Sequence, residues 1–556
     1  MSDPSQRWTL AFNGEIYNYR ELREGLEDRW HFRDDSDTEV LLAGLVVEGK
    51  RFVGKLDGMW AFVLHDSLSG SLLLARDPFG KKPLYYRVAG RAFACASELP
   101  ALRALLPDAQ WSEDAKGVSD YLRYGFTFPG TTCLLDVREV LPAHVLLRSA
   151  DGEVTSERYW TPATGTWQGT FDEAAEEVRS LLASAVRSRQ LASDVEVGAF
   201  LSGGVDSTVI CALAQRSGFG RLRTFTAGFA ERTYDERQPA ARAAKELGTL
   251  HTDRELSLDV AARFASSLPG RIGQPFGDAS IVPTALVAEL AARDVKVVLT
   301  GDGGDEVFGG YARYVGRLLR QRYRLVPSAV RSAIEALILA FPEPIEHHSG
   351  SLLKRAHLFV GLARDASSGY VAPPAMRQEV MTRLVPGIRE GYSPPQAPWP
   401  AEPDEIRHMM LMDWLIWLPQ DILAKVDRAT MAFSVEARSP FLDRRLVEFV
   451  IRLPWSWHFS FLRGKKLLES ALRGLVPDFI WRRRKQGFAS PVAYWMRGAM
   501  GDELHRLTFE TDTGAIAADV LRALLEEHRE GASDHSSALW LAYTYLQWRS
   551  YGETRP

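Results

Sequence analysis

Hydrophobic positions change their rhythm partway along this chain. Over the first hundred residues they fall in short runs broken by Gly, Asn, Asp and Pro, which predicts strands. Residues 9–12 read as a short strand that stops at Asn13-Gly14. Residues 59–65 and 71–75 read as strands joined through a Ser-Gly turn, and 84–86 and 92–95 as two more after the loop Asp77-Pro78-Phe79-Gly80. Ser36-Asp37-Thr38-Glu39 has the form of a capping box before an apolar helix over 40–47. A stretch rich in Thr, Gly and Pro at 161–170 marks a domain boundary. Beyond it the pattern alternates: a helix over 173–187, a strand over 195–201, a helix over 208–216, a strand over 222–229, a helix over 240–247 and a strand over 295–299. This order predicts a parallel sheet covered on both faces, with ligands at the carboxyl ends of its strands. From about residue 315 the pattern is mostly helical, with a Pro-rich link at 393–403, and no internal repeat is visible.

Composition narrows the class. A chain of 556 residues has room for about two to four domains. Its hydrophobic and charged fractions, 46% and 25%, are those of an ordinary globular protein. The net charge of -4 leaves no global basic footprint for nucleic acid; the run Trp481-Arg482-Arg483-Arg484-Lys485 is a local exception. The three cysteines, Cys95, Cys133 and Cys211, form no C-x-x-C pair, which argues for a reducing compartment and against structural zinc. Cys133 and Cys211 lie in apolar surroundings and read as core. No apolar run is long enough to predict a membrane-spanning helix, and Met1-Ser2-Asp3-Pro4 opens no signal peptide. The expected location is the cytoplasm.

Candidate chemistry sits where predicted strands end. The run 195–201 breaks into Ser202-Gly203-Gly204-Val205-Asp206-Ser207-Thr208. Two glycines let the backbone close on an anion, and the helix start presents free N–H groups and a positive dipole end. Ser202, Ser207 and Thr208 offer hydroxyl donors. Asp206 would repel a bare phosphate, so its presence calls for magnesium, which takes carboxylate and phosphate oxygens together. The loop lacks the lysine and spacing of a Walker A motif and resembles the SGGxDS pyrophosphate loop of ATP pyrophosphatases. After the strand 295–299 comes Thr300-Gly301-Asp302-Gly303-Gly304-Asp305-Glu306-Val307-Phe308-Gly309-Gly310-Tyr311, where Asp305 is placed to supply a second magnesium ligand. Two further blocks, Leu418–Arg428 with 436–443, and Gly464-Lys465-Lys466 with Arg483–Phe488, supply cations for phosphate and oxyanion charge.

These four blocks, in this order, resemble the synthetase domain of glutamine-hydrolysing asparagine synthetases over residues 171–498. Phe12-Asn13-Gly14-Glu15-Ile16-Tyr17-Asn18, Ser36-Asp37-Thr38-Glu39, Asp57-Gly58-Met59-Trp60-Ala61-Phe62 and Arg76-Asp77-Pro78-Phe79-Gly80 resemble the second half of that family's glutaminase domain. The resemblance implies two domains. Residues 1–160 would be a partial α+β glutaminase of the N-terminal-nucleophile type, a β-sandwich with helices. Residues 171–556 would be an α/β ATP-pyrophosphatase domain with a helical carboxyl-terminal part. It implies a reaction as well: a carboxylate attacks the α-phosphorus of MgATP to give an acyl-adenylate and pyrophosphate, and ammonia or another amine displaces AMP. By the same resemblance Ser202, Gly203, Gly204, Asp206 and Ser207 hold pyrophosphate, and Leu201, Ala227, Thr300 and Gly301 hold adenosine. Asp206 and Asp305 bind magnesium, and Lys465 is the catalytic lysine. Asn13, Gly14, Glu15 and Asp37 stand at glutamine-binding positions, Asn13 as oxyanion donor and Asp37 as anchor for the α-amine.

The chain departs from the family in two places. The family's glutaminase uses an N-terminal cysteine whose own amine is the base, whereas here no cysteine precedes Cys95, and the segment ahead of Asn13-Gly14 is missing. The expectation is either a longer natural chain or an inactive glutaminase that draws on free ammonia, an amine or a partner. A shortened β-layer should also leave strand edges to be covered by another subunit or by rearrangement. Asp302 stands where many asparagine synthetases carry glutamate, which opens the identity of the carboxylate. Three readings follow: an asparagine synthetase, a relative that amidates a natural-product carboxylate, and a non-catalytic subunit. A tRNA-thiolating pyrophosphatase shares the loop but would want a basic surface and reactive cysteines. The expected ligands are ATP, Mg2+, a small carboxylate and ammonia, glutamine or another amine, with a homodimer as the assembly and neither nucleic acid nor membrane as a partner. Tyr234, Asp235 and Glu236 are candidates for the nucleotide pocket and Asp278 and Ser280 for the substrate side, while His251 is open to two readings, a position that resembles the family's and a structural role.

Overall fold

The computed structural model describes residues 1–90, 92–162, 165–231, 233–341, 351–364, 375–388, 404–460, 464–483 and 490–553. The Pro-rich link at 393–403 and the part of the fourth block from Arg484 to Phe488 lie outside these residues.

Among the described residues the amino-terminal unit holds eight strands: β1 (Trp8–Ile16), β2 (Gly58–Asp66), β3 (Ser71–Arg76), β4 (Tyr85–Ala89), β5 (Ala92–Ala96), β6 (Val137–Glu139), β7 (His144–Arg148) and β8 (Val154–Arg158). They form two antiparallel sheets, ordered β1-β2-β3-β7-β8 and β5-β4-β6. The helix Asp37–Glu48 packs Val40, Leu41, Leu42 and Leu45 against Trp60, Phe62 and Leu64 of β2.

Two local readings need correction. β1 does not stop at Asn13-Gly14 but runs through it to Ile16, because Gly14 takes φ +148° and passes so close to β2 that a Cβ would lie 2.1 Å from the Met59 carbonyl oxygen. The motif at Ser36 is half a capping box: Ser36 Oγ accepts from Glu39 N at 3.1 Å, but the Glu39 carboxylate turns away to accept from Arg33 N and Asp34 N, both at 2.8 Å. A full capping box stands instead at Thr170 and Glu173. Along the outer edge of β1, Met1 O accepts from Leu10 N at 2.8 Å and Ser2 bridges to Thr9.

The second unit is built on five parallel strands: β9 (Val197–Phe200), β10 (Arg223–Phe229), β11 (Leu250–Leu256), β12 (Val297–Leu299) and β13 (Glu436–Arg438), ordered β11-β10-β9-β12-β13. Side chains of successive residues point to opposite faces, so Phe225 and Val298 join a core with the helix Ile281–Ala291, while Ala199, Leu201 and Leu299 join another with Phe171–Leu191 and Val205–Arg216. Both faces are covered, as the alternating pattern predicts. Two strands of this sheet went unread: β11 is a largely exposed edge, Leu-His-Thr-Asp-Arg-Glu-Leu, and β13 is three residues long. Among the described residues no helix is long and apolar enough to cross a membrane.

Candidate active site

β9 delivers the chain into Ser202-Gly203-Gly204, and the helix Val205–Arg216 starts at once with Gly204 as its N-cap. Gly203 takes φ +68°, and a Cβ there would lie 2.7 Å from the Pro239 carbonyl carbon at the start of the next helix. The turn therefore needs glycine on two grounds. Ser202 and Ser207 tie its ends together, with hydroxyls 2.9 Å apart and Ser202 N donating to Ser207 Oγ at 3.2 Å. Thr208 corrects the sequence reading: it is fully buried and donates back to Gly204 O at 2.7 Å, so its hydroxyl braces the loop instead of facing an anion.

The acid–glycine loop after β12 lies directly on this helix start. A Cβ on Gly301 would be 2.8 Å from Ser207 N, and one on Gly304 would be 2.6 Å from Asp206 Oδ1. Its root is fixed by β13, where Thr300 N donates to Arg438 O at 2.9 Å and Thr300 Oγ1 lies 3.2 Å from Ser439 Oγ. Asp305 opens the short helix Gly304–Phe308 between two left-handed glycines, Gly303 and Gly309. Leu201 and Ala227 are buried behind the turn, and Leu201 N donates to Phe225 O at 3.0 Å.

Lys465 closes the constellation. Its ammonium pairs with both Asp206 oxygens and lies 2.6 Å from Asp305 Oδ1. Burial pulls this ammonium down, but the two carboxylates outweigh it and hold its pKa above the ordinary lysine value. Lys465 adopts φ +51°, the left-handed region, at the N-cap of the helix Lys466–Leu472, a strain that clusters at functional sites. Lys466 points away and donates to Ser456 O at 3.0 Å. Arg483 reaches the loop from the far side and donates to Gly203 O at 3.0 Å.

Asp302 is half-buried, and burial raises its carboxyl above the usual range against the pull of Lys425. It belongs to a second charged cluster. Lys425 lies 2.8 Å from Asp278 Oδ2, and Ser280 holds the same carboxylate through N and Oγ, both at 2.8 Å. Asp421 is buried beside them, and burial together with Asp278 pushes its carboxyl well above its ordinary value. Sequence reasoning counted Lys425 only within a block of cations for phosphate and oxyanion charge, and gave no role to Asp421. Their signal was available, because a lysine and an aspartate inside the apolar segment Asp413–Leu423 and its continuation are costly to bury unless paired. That segment is π-helical and contains Pro419; π turns recur at functional sites.

Of the remaining candidates, Asp235 is committed to Arg237, at 2.9 Å to Nε. Glu236 is buried with Oε2 unpartnered, and burial pushes it up to about 8. His251 Nδ1 lies 3.0 Å from Thr224 Oγ1, a packing contact.

On the amino-terminal side Asp37 Oδ2 accepts from Ile16 N at 3.0 Å, and burial raises its pKa. Glu15 forms a 2.9 Å ion pair with Arg438, across the junction between the two units. Burial pushes Glu15 up to about 8 against that pairing. Cys95, in β5, is raised by burial to about 11, and Cys133 and Cys211 are buried and raised further. None of the three thiols is activated.

Among the described residues no group of three acids, histidines or cysteines could by itself hold a metal. Two carboxylates meeting beside an anion-binding turn still fit magnesium, which usually keeps one or two carboxylates and takes its remaining oxygens from phosphates and water.

A pyrophosphate-type turn, an acid–glycine loop and a buried lysine, on a parallel sheet docked to an antiparallel amino-terminal unit, define a carbon–nitrogen ligase of the amidotransferase class. Residues 177–550 match the asparagine synthase family model and residues 1–160 the glutamine amidotransferase domain. Asparagine synthetase [glutamine-hydrolyzing] 1 of Bacillus subtilis is 30% identical over 99% of this chain and 86% of its own length. A putative asparagine synthetase [glutamine-hydrolyzing] of Mycobacterium tuberculosis is 34% identical over 98% and 84%. Amidase chyE of Penicillium rubens is 26% identical over 91% and 80%. The chain belongs to the asparagine synthase family.

Proposed function

We propose that this protein forms an amide from a carboxylate through an acyl-adenylate, with aspartate as the carboxylate, ATP as the activating substrate and glutamine or ammonia as the nitrogen source. The observation that carries the reading is Lys465 held between Asp206 and Asp305 beside the Ser202–Ser207 turn. The turn would receive the β- and γ-phosphates on its N–H groups and hydroxyls. Leu201, Ala227, Thr300 and Gly301 would line the adenosine side. A carboxylate oxygen attacks the α-phosphorus, the bond to the bridging oxygen breaks, and pyrophosphate leaves with charge that Lys465 and Arg483 stand ready to stabilise. Magnesium on Asp206 and Asp305 would add neutralisation of that leaving charge. Ammonia then attacks the acyl carbon, AMP departs, and Asp302 would take the proton lost by nitrogen.

Lys425, with Asp278 and Asp421 around it, supports a carboxylate- and ammonium-bearing substrate next to Asp302. Residues 1–160 and 171–556 are the two domains of the proposal, and a homodimer and a cytoplasmic location belong to it as well. Asp302 in place of glutamate favours a second reading, a different carboxylate as acceptor. The test is pyrophosphate release from ATP and magnesium with aspartate plus ammonium or glutamine. Turnover with aspartate supports the assignment. Silence with aspartate in protein that still binds MgATP overturns it in favour of the second reading.

A further inference from the structure

Arg438 is one of the places where the two units meet. It is the last residue of β13 and is 2% exposed. Its guanidinium holds three partners: Glu15 at 2.9 Å from the amino-terminal unit, Glu436 at 2.7 Å on its own strand, and the Arg189 carbonyl oxygen at 2.7 Å. Its main-chain oxygen accepts from Thr300 N at 2.9 Å, which sets where the acid–glycine loop leaves β12. One residue thus contacts a candidate glutamine ligand with its side chain and registers the nucleotide loop with its backbone. The surroundings permit little slack. The Arg189 guanidinium lies over the Tyr17 ring at 4.4 Å and is fixed to Asp443 at 2.8 Å, with both side chains fully buried.

We propose that Glu15 and Arg438 form a positioning pair through which a carboxylate of the amino-terminal unit sets the placement of Thr300 and the acid–glycine loop. Two arrangements follow from the charges. With Glu15 on Arg438, the buried guanidinium has two carboxylates and stays in register. When Glu15 turns to a ligand ammonium, Arg438 keeps Glu436 as its one carboxylate beside the Arg189 carbonyl oxygen, and a buried cation that loses a charged partner shifts. The shift reaches Thr300 through one main-chain hydrogen bond. Coupling between two ligands in this manner is reciprocal. The inference rests on the glutamine-side reading of Glu15 only for the identity of that ligand.

The test measures MgATP binding directly, in the full chain, for Glu15→Gln, Arg438→Met, the double variant and Glu48→Gln, a charge loss at a separate ion pair, with Arg29 and Lys55, in the same unit. Glu15→Gln should weaken MgATP binding by about five- to tenfold, Arg438→Met by a similar factor, and the double variant by no more than either. Glu48→Gln should match the parent. Glutamine should weaken MgATP binding in the parent and leave Glu15→Gln unmoved. MgATP affinity in Glu15→Gln within twofold of the parent, or single effects that multiply in the double variant, would overturn the pair. Silence in the glutamine arm with the variant effects intact would support the pair and remove glutamine as the ligand of Glu15. Failure of aspartate turnover would fall on the proposed substrate and leave these affinities to decide.

Discussion

Replacing Lys465 with methionine keeps the length and apolar stem of the side chain and removes its charge. The parent ammonium touches Asp206 and lies 2.6 Å from Asp305, so the facing carboxylate oxygens are about 5 Å apart at most. At an effective dielectric of about 20, two uncompensated carboxylates at that spacing repel by about 3 kcal/mol. This agrees with the 3–5 kcal/mol typically lost when one partner of a buried pair is removed. Loss of a preorganised charge at the leaving phosphate costs about 100- to 1,000-fold in rate. Lys465→Met should therefore fold with a lowered Tm, recover part of that loss in magnesium because the metal replaces the missing cation, and release pyrophosphate at least about 100-fold more slowly. Thermal denaturation with and without magnesium, beside a pyrophosphate-release assay, reads all three. A variant with parental Tm and a rate within tenfold of the parent would refute the reasoning, because neither the repulsion nor the catalytic charge would then exist.

Gly203→Ala should abolish measurable MgATP binding by calorimetry, since its Cβ would sit 2.7 Å from the Pro239 carbonyl carbon at φ +68°, whereas Gly204→Ala, which meets only Ser202 Oγ at 3.2 Å, should bind within about tenfold of the parent. Glu236 has a folded pKa pushed from 4.5 to about 8; the folded state therefore holds its proton more tightly than the unfolded one. Stability should fall as pH rises between those values, by up to about 1.4 kcal/mol per pH unit. Glu236→Gln should remove this slope, so its Tm advantage over the parent should grow from pH 5 to pH 8, and a flat or shrinking difference would count against the buried acid. Asp443→Asn breaks the fully buried pair with Arg189 and should lower stability by about 3–5 kcal/mol in chemical denaturation.

Much of the catalytic end was legible because its chemistry is local. Ser202–Ser207 and Gly301–Asp305 each follow an apolar run, and a parallel sheet brings strand ends together whatever their distance along the chain. What stayed hidden depends on partners distant in sequence. Nothing near Arg438 announces Glu15, and nothing near Lys425 announces Asp278. β11 escaped because an edge strand alternates weakly, and β13 because three residues carry no period. Asn13-Gly14 looked like a stop because glycine usually ends a strand, whereas here it lets β1 and β2 approach. Glu39 looked like a cap for Ser36 because spacing alone cannot tell that Arg33 N and Asp34 N compete for its carboxylate.

β13 has a consequence for how the chain is made. Val297 of β12 pairs with Glu436, so the strand that roots the acid–glycine loop waits for its neighbour through roughly 140 further residues. At about 5–20 residues per second of synthesis, that wait is about 7 to 28 seconds, during which β12 presents an open edge to the crowded mouth of the ribosome. A contact this distant in sequence is slow to close and prone to capture by other nascent chains. Chains released short of residue 436 should therefore aggregate, while those that pass Arg438 gain both the sheet edge and the tie to the amino-terminal unit at one stroke.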